Sequence, residues 1–203
     1  MDLLTRFYVP ASKNCLSWVT VDVIWKKVIQ PLSVASNSKI LNPGISMTKT
    51  LQFKAFCNKD LLELERMIFA LYREDPWGEK MSRRKIRDTV QELIRHPEKG
   101  TILIFRVGKV IVGYSIVITY WSNEFGGNIA LIDECYVKPS WRDKKVGTSF
   151  IKYISAPNPA CLKGIGAEVT PVNKRALAFY TRQGFAPAQN RYLFKRRVPN
   201  KAQ

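Results

Sequence analysis

The chain has 203 residues, and 33 lysine and arginine residues against 16 aspartate and glutamate residues give it a formal net charge of +17. This length fits one domain of ordinary size with some residues to spare, or at most two small domains. The hydrophobic content of 46% excludes a basic disordered chain. No apolar stretch approaches the roughly 18–20 residues that cross a bilayer, which excludes a transmembrane protein. The charge alone suits an anionic ligand, nucleic acid or an acidic membrane surface about equally.

Residues 1–46 are predicted to be an N-terminal extension to a main domain at residues 47–203. The extension is poor in acids, with only Asp2 and Asp22, and it lacks the apolar core of a secretory signal. Three interpretations stay open: a genuine arm, a targeting segment, or translated sequence upstream of a start at Met47. We expect a cytoplasmic protein, with organelle targeting by residues 1–46 as the open alternative.

After the extension, short elements follow one another. Residues 51–56 alternate in polarity, which predicts a strand. Two amphipathic helices are predicted next. Asn58 is the expected cap of the first, which ends near Asp75, and Ser82 is the expected cap of the second, which ends at His96.

The hydrophobic period then changes to that of strands. Runs at residues 101–107 and 109–120 flank Gly108, and a third strand at residues 129–137 follows a turn. A helix at 147–154, a strand at 164–170, a helix at 174–183 and a strand at 191–197 complete the pattern. The order predicts an α+β fold, an α/β sandwich with a mixed, mostly antiparallel central sheet flanked by helices.

Metal binding is not expected. The cysteines Cys15, Cys57, Cys135 and Cys161 are widely spaced, and the chain has one histidine. A structural zinc site needs four soft ligands at close spacings. We therefore expect reduced, mostly buried thiols.

A basic turn between a strand and a helix is the most informative segment. A strand ends at Val137, the turn that follows is rich in lysine and arginine, and a helix starts near Gly147. The first N–H groups of a helix have no internal partner and carry partial positive charge, so this junction is suited to an anion. A solvated basic turn before an ordinary surface helix is the competing interpretation.

A second motif, NKRALAFYTRQGF, occupies residues 173–185. Asn173 stands at a helix start, and Gly184 follows the helix as a stop. Taken alone, this pattern favours a capped amphipathic helix with a core aromatic residue.

Together, in this order and about thirty residues apart, the two motifs resemble the GNAT superfamily of acyl-CoA-dependent N-acyltransferases. The hexapeptide RDKKVG at residues 142–147 is similar to the family's pyrophosphate signature, [Q/R]-x-x-G-x-[G/A]. The second motif is similar to the family helix N-x-x-A-x-x-[FL]-Y-x-x-x-G-F. The resemblance covers residues 47–197. It departs from the family at Lys145, which replaces the first signature glycine, whereas Gly147 is kept.

The resemblance implies acetyl-CoA as co-substrate, lying where the strand at 129–137 and the strand at 164–170 splay apart. Backbone groups of Cys135, Tyr136 and Val137 would hold the pantetheine arm, and one of their N–H groups would polarise the thioester carbonyl. Asn173 would contact the cofactor arm. The residues expected around the pyrophosphate are Arg142, Asp143, Lys144, Lys145, Val146, Gly147 and Thr148.

The implied chemistry is attack of a neutral amine on a thioester. The candidate bases are Asp133 and Glu134, which strand alternation would point to opposite faces, and bound water is the alternative base. Either carboxylate could instead be structural, orienting the turn or pairing with a nearby cation. Tyr180 matches the family tyrosine that protonates the leaving thiolate, and a core tyrosine with a hydrogen-bonded hydroxyl is the competing interpretation.

The predicted function is transfer of an acetyl group from acetyl-CoA to a primary amine, of a small molecule or a protein, by direct attack in a ternary complex. The alternative is a catalytically weak acyl-CoA-binding sensor or a basic nucleic-acid-binding module on the same fold. Nucleic acid would use the tail at residues 191–203, which holds five cations and no acid. The resemblance also allows a homodimer, and nothing in the sequence requires one.

Overall fold

The structure is a computed structural model, and it describes residues 50–76, 78–156, 162–188, 193 and 195. The extension predicted at residues 1–46 lies outside the described residues. So does the strand predicted at residues 191–197, apart from Leu193 and Lys195. The chain divides into two compact units, the first ending at Glu168 and the second beginning at Val169.

The first unit contains a five-stranded sheet whose spatial order follows the chain. Its strands are β1 Leu51–Ala55, β2 Gly100–Val107, β3 Val110–Ser122, β4 Gly127–Val137 and β5 Leu162–Ala167. β1 to β4 pair antiparallel, and β5 joins β4 in parallel. The helices are α1 Leu61–Glu74, α2 Arg83–Arg95 and α3 Val146–Ile154. The predicted mixed, mostly antiparallel sheet with flanking helices is confirmed.

Helices cover both faces of this sheet. On one, which we call the α1–α2 face, apolar side chains of the two helices bury those of the central strands. The buried side chains include Leu64, Ile68, Ile86 and Val90 from the helices, and Ile102, Ile104, Tyr114 and Ile116 from the sheet. On the opposite face, the Phe150 ring of α3 packs on Phe105 and Phe53, with ring centroids 4.8 and 5.7 Å apart. The sheet is therefore the middle layer of a sandwich.

A β-bulge interrupts β4 at Asp133. Ile116 of β3 is opposite Glu134, and the next residue, Val117, is opposite Ile132. Asp133 is therefore an extra residue without a partner position on β3. Strict alternation does not hold across such a place, so the register does not decide the expectation that Asp133 and Glu134 point to opposite faces, and it stays a prediction.

The two neighbours of β4 end their pairing at different points. Pairing with β5 ends at Ile132 and Ala167, and Glu168 N–H donates to the Ile132 carbonyl at 3.4 Å. Pairing with β3 continues to Val137. β5 thus ends at Ala167, three residues before the end of the predicted strand at residues 164–170.

The N-terminus of α1 is fixed by Asp60 rather than by the predicted cap Asn58. The Asp60 carboxylate is 2% exposed and accepts hydrogen bonds from the Cys57 thiol at 2.9 Å and from Arg106 of β2. Burial acts to raise the pKa of Asp60, but the hydrogen bonds from Cys57 and Arg106 outweigh it and the net direction is down. Cys57 itself is exposed, so the expectation of buried thiols is wrong for this residue.

The second unit contains α4, Lys174–Arg182, close to the predicted helix at 174–183. The Asn173 side-chain oxygen caps it by accepting from Ala176 N–H at 2.9 Å. Gly184 follows with a φ of +89°, a left-handed conformation that favours glycine. Across both units, no helix of the described residues has the length and apolar content needed to cross a bilayer.

Replacing Asp60 with alanine is expected to lower the free energy of unfolding by about 3 kcal/mol, because it leaves the Arg106 guanidinium, 15% exposed, without its carboxylate. Urea unfolding at pH 7 measures the change. Asp88→Ala is the matched control: Asp88 pairs with Arg84 in an exposed i,i+4 contact at 3.8 Å and contributes little.

The pH dependence of the stability difference between wild type and Asp60→Ala tests whether the charge of Asp60 is its cause. The folded pKa of Asp60 is lowered, so its stabilisation is present above the unfolded pKa of about 3.9. It is lost as the pH falls through the folded pKa. A difference between wild type and Asp60→Ala that persists unchanged at pH 2 would contradict an electrostatic role.

Candidate active site

The end of β4 presents main-chain groups on the side away from β3. Lys138 N–H donates to the Val112 carbonyl at 2.9 Å, so Gly113 and Val137 form a pair that exchanges no hydrogen bonds of its own. Hydrogen-bonded and non-hydrogen-bonded pairs alternate along the two strands, so Ser115 and Cys135 also form a pair without hydrogen bonds between them. The main-chain N–H and C=O groups of Cys135 and Val137 therefore point away from β3. Those of Tyr136 point to β3, where Tyr114 is its partner.

A tight turn joins β4 to α3. It contains a short 3-10 helix, Pro139–Trp141, and two non-glycine residues in the left-handed region, Asp143 with φ 60° and Lys145 with φ 59°. Lys145 is the N-cap residue of α3, and its side chain caps no N–H group. Lys145 thus adopts the backbone conformation for which glycine is best suited, at a cost of roughly 1–2 kcal/mol.

Two ion pairs tie this turn to α1. Lys138 Nζ lies 2.6 Å from a Glu63 carboxylate oxygen, and the Arg142 guanidinium donates to Glu74 at 2.5 Å. The hydrogen bond from Lys138 lowers the pKa of Glu63. Arg142 Nε also donates to the Val137 carbonyl at 2.8 Å. Of the four cations in this turn, Lys138 and Arg142 are therefore engaged in holding the turn in place.

The other two cations of the turn are differently placed. Lys144 Nζ lies 5.2 Å from the centroid of the Trp141 ring, and Lys145 is exposed. Within the part of the chain that the structure describes, neither forms an ion pair. Both flank the first turn of α3, where Val146, Gly147 and Thr148 follow and backbone N–H groups lack helical partners.

Glu134 is a half-buried carboxylate on the α1–α2 face. The buried Tyr114 hydroxyl donates to its Oε2 at 2.8 Å, and Tyr72 of α1 lies near enough to act on the same carboxyl group. The Ser115 hydroxyl donates to its main-chain carbonyl at 2.8 Å. Burial raises the pKa of Glu134, and the two phenols act in the opposite direction.

Asp133 is more open than its neighbour. By surface area the residue is exposed, yet surrounding protein atoms crowd its carboxyl group enough to raise its pKa. Its charge also acts to raise the pKa of Glu134. The bulge thus brings the two carboxylates within electrostatic range of each other.

The remaining predicted residues lie in the second unit. Tyr180 of α4 is buried, with its ring 5.1 Å from those of Phe179 and Phe185. Asn173 uses its side-chain oxygen as the helix cap. The structure describes these two residues within their own unit, so their roles in catalysis stay predictions.

Sequence reasoning missed the side chains that surround Glu134 and the basic turn: Tyr72, Tyr114, Glu63 and Glu74. The sequence does contain a signal for Tyr72 and Tyr114. Tyr72 follows the apolar Ile68 by four residues, and Tyr114 lies two residues before Ile116, so both patterns place them on the buried face. That Tyr114 and Tyr72 meet at Glu134 depends on the register of β3 against β4 and on where α1 packs, which the sequence does not display. No group of three or more metal-ligating side chains is found among the described residues.

Comparison with known proteins agrees with this architecture. The model of the Acetyltransferase (GNAT) family matches residues 59–185. Among curated proteins, none has a sequence that matches this chain. Many solved structures match its fold.

Three solved structures illustrate the likeness. A possible acetyltransferase from Clostridium difficile 630 has a TM-score of 0.62 at 20% identity, covering 73% of this chain and 97% of its own. Ribosomal-protein-alanine N-acetyltransferase from Brucella melitensis biovar Abortus 2308 has a TM-score of 0.58 at 16% identity, covering 72% and 99%. An aminoglycoside acetyltransferase from an uncultured soil metagenomic sample, in complex with sisomicin, has a TM-score of 0.54 at 15% identity, covering 73% and 96%.

At these identities the structural likeness concerns the fold, and the family assignment comes from the family model. That model spans well over half of the chain and includes both sequence motifs. The chain therefore belongs to the GNAT acetyltransferase family and is by class an acyltransferase.

Proposed function

We propose that this protein transfers the acetyl group of acetyl-CoA to a primary amine by direct attack in a ternary complex. The observation that carries the proposal is the unequal pairing of β4, which continues along β3 to Val137 after leaving β5 at Ile132. An extended polyamide arm can pair with a strand edge of this kind. The edge leads directly into the basic turn and the N-terminus of α3.

Two of the three predicted backbone contacts fit the pantetheine arm. The main-chain groups of Cys135 and Val137 point away from β3, toward the side that β5 has left. We assign the arm to these two residues, and one of their N–H groups to the thioester oxygen, where it would stabilise developing negative charge. The main chain of Tyr136 pairs with Tyr114 instead, so Tyr136 is removed from the set.

The pyrophosphate fits the turn before α3. Backbone N–H groups from Asp143 to Thr148 supply donors, and the partial positive charge of the helix N-terminus favours an anion. We assign the side-chain charge to Lys144 and Lys145, because Lys138 and Arg142 are paired with Glu63 and Glu74. Arg142 would support the turn rather than bind phosphate.

Glu134 is the better candidate for the base. An alkylamine is mostly protonated at neutral pH, so the base must remove a proton, directly or through one water, before the amine attacks. Burial raises the pKa of Glu134 toward the working range of a base, while the Tyr114 hydroxyl holds its carboxylate by a hydrogen bond of 2.8 Å. Asp133 is more exposed, and no side chain among the described residues donates a hydrogen bond to its carboxylate, so we give it a supporting electrostatic role.

Tyr180 is proposed to protonate the leaving thiolate, as the family resemblance implies. The protons then balance. The ammonium gives its first proton to Glu134, which returns it to solvent; the neutral nitrogen bonds to the acetyl carbon and the carbon–sulfur bond breaks. The thiolate takes a proton from Tyr180, and the second proton of the attacking nitrogen restores the Tyr180 hydroxyl through water. Asn173 is proposed to contact the cofactor arm, as the family resemblance implies.

The acceptor class remains wide. The solved structures of similar fold include one named for a ribosomal-protein alanine and one bound to an aminoglycoside. The fold thus accommodates both protein and small-molecule amines, and our proposal covers both.

Release of CoA thiol from acetyl-CoA, with and without a panel of primary amines and peptide N-termini, tests the function. Release that requires an acceptor is the expected result. Tight CoA binding without turnover across the panel would favour the acyl-CoA sensor. Salt-sensitive binding of DNA or RNA without either activity would favour the nucleic-acid module.

Replacing Tyr180 with phenylalanine is expected to lower kcat about 10²-fold or more, because the leaving thiolate loses its acid. The Kd for acetyl-CoA is expected to change little, and a binding titration measures it. Tyr153→Phe is the matched control: its ring packs 5.0 Å from Phe53, and it has no assigned part in the reaction. An unchanged kcat in Tyr180→Phe would remove Tyr180 from the mechanism.

Replacing Lys145 with glycine is expected to relieve the left-handed backbone, whereas Lys144→Gly removes no such strain. The free energy of unfolding of Lys145→Gly is expected to exceed that of Lys144→Gly by about 1–2 kcal/mol, as measured in urea.

The same Lys145→Gly variant tests whether the turn before α3 binds the pyrophosphate. Loss of one exposed charge is expected to raise the KM for acetyl-CoA by roughly two- to fivefold, an effect that fades at high salt. A lower KM would mean that the Lys145 side chain crowds the phosphate.

A further inference from the structure

Two tyrosines from different elements meet at one carboxylate. Tyr114 is opposite Tyr136 on the neighbouring strand, and its diagonal neighbour across the pair is Glu134. A diagonal distance of this kind is within reach of an aromatic side chain. The Tyr114 hydroxyl accordingly lies 2.8 Å from Glu134 Oε2. Tyr72 approaches the same carboxyl group from α1.

The arrangement differs from ordinary core packing. Tyr114 is completely buried, so its hydroxyl has no water to bond and depends on Glu134. Ser115, the next residue, holds the main-chain carbonyl of Glu134 at 2.8 Å. β3 therefore fixes both the backbone and the side chain of Glu134, directly beside the bulge at Asp133.

Among the described residues, the titratable groups that act on the Glu134 carboxyl are Tyr72 from α1, Tyr114 from β3 and Asp133 from β4 itself. The Cys135 thiol acts on Tyr114, and the Tyr136 ring lies 6.3 Å from that of Tyr114, with its own hydroxyl turned to Glu74. Burial raises the pKa of Tyr114 and of Tyr72. Both phenols thus keep their protons and act as donors across the working pH range.

We propose that Tyr114 and Tyr72 are positioning residues of the transferase, whose hydroxyls hold the Glu134 carboxylate ionised and in one orientation to take a proton from the acceptor amine. This inference rests on the proposed function. Donors to an ionised carboxylate favour the ionised form. A carboxylate held in this way stays deprotonated despite its burial. Its oxygen lone pairs that do not accept from the tyrosines are then held in a fixed orientation.

The test uses the full chain and the amine with the highest turnover in the acceptor panel. Tyr114→Phe keeps the ring and removes the donor. The acidic limb of the kcat/KM profile is expected to move up by about one pH unit, the effect of losing one hydrogen bond to a charged group. Above this limb, kcat/KM is expected to return to near the wild-type value. The ionisation of the amine affects both profiles equally, because both proteins are measured with the same acceptor, so it does not contribute to the difference between them.

A second measurement is independent of turnover. The Glu134 carboxyl is titrated by ¹³C NMR in protein with labelled glutamate, and Glu134→Gln identifies its resonance. The pKa of Glu134 is expected to rise in Tyr114→Phe and in Tyr72→Phe. The largest rise is expected in the double variant. Tyr153→Phe is the control and is expected to leave both the pKa and the profile in place.

The outcomes separate this inference from the function it rests on. An unchanged Glu134 pKa in both variants, with wild-type turnover intact, overturns the inference. A raised pKa without a shift of the profile also overturns it, because the phenols then act on a carboxylate that the reaction does not use. A uniform loss of kcat at every pH indicates a structural role and overturns it as well. Absence of acceptor-dependent turnover in the wild type contradicts the proposed function itself.

Discussion

The site depends on the fact that β4 has two neighbours that leave it at different points. Its antiparallel pairing with β3 continues to Val137, while its parallel pairing with β5 stops at Ile132. If β5 followed β4 to its end, the edge at Cys135 and Val137 would be covered by a strand. The bulge at Asp133 stands where the two pairings diverge, and it increases the local twist of β4. One backbone irregularity thus accompanies both the divergence of the two strand pairings and the succession of two carboxylates on β4.

α1 holds this arrangement in place through charged contacts at both of its ends. Asp60 fixes its N-terminus to Arg106 of β2, while Glu63 and Glu74 reach Lys138 and Arg142 in the turn after β4. These contacts are electrostatic, so they add to the apolar packing beneath the helix. They also account for part of the positive charge in the turn. The chain's excess of cations is therefore less available to a phosphate than the sequence count implies.

Features that depend on residues close together in the sequence could be predicted, whereas contacts between residues from distant segments could not. Ser82 caps α2 as expected by accepting from Lys85 N–H, and Asn173 caps α4. Such caps depend on residues three positions apart, which a sequence displays directly. The bulge at Asp133 leaves no such mark, because IDECYV reads as a regular strand. Tyr72 and Tyr114 meet at Glu134 only through the packing of α1 on β3, a long-range contact that local patterns do not encode.

The spatial order of the sheet also has a consequence for how the protein folds. β2, β3 and β4 are joined by successive hairpins, whose short loops cost little entropy to close. β5 pairs with β4 only after the chain has crossed over through α3, which makes it the less local contact. We therefore expect the antiparallel meander to form before β5 joins the sheet. A ligand that binds along the edge of β4 would then stabilise the region of the sheet that is completed last.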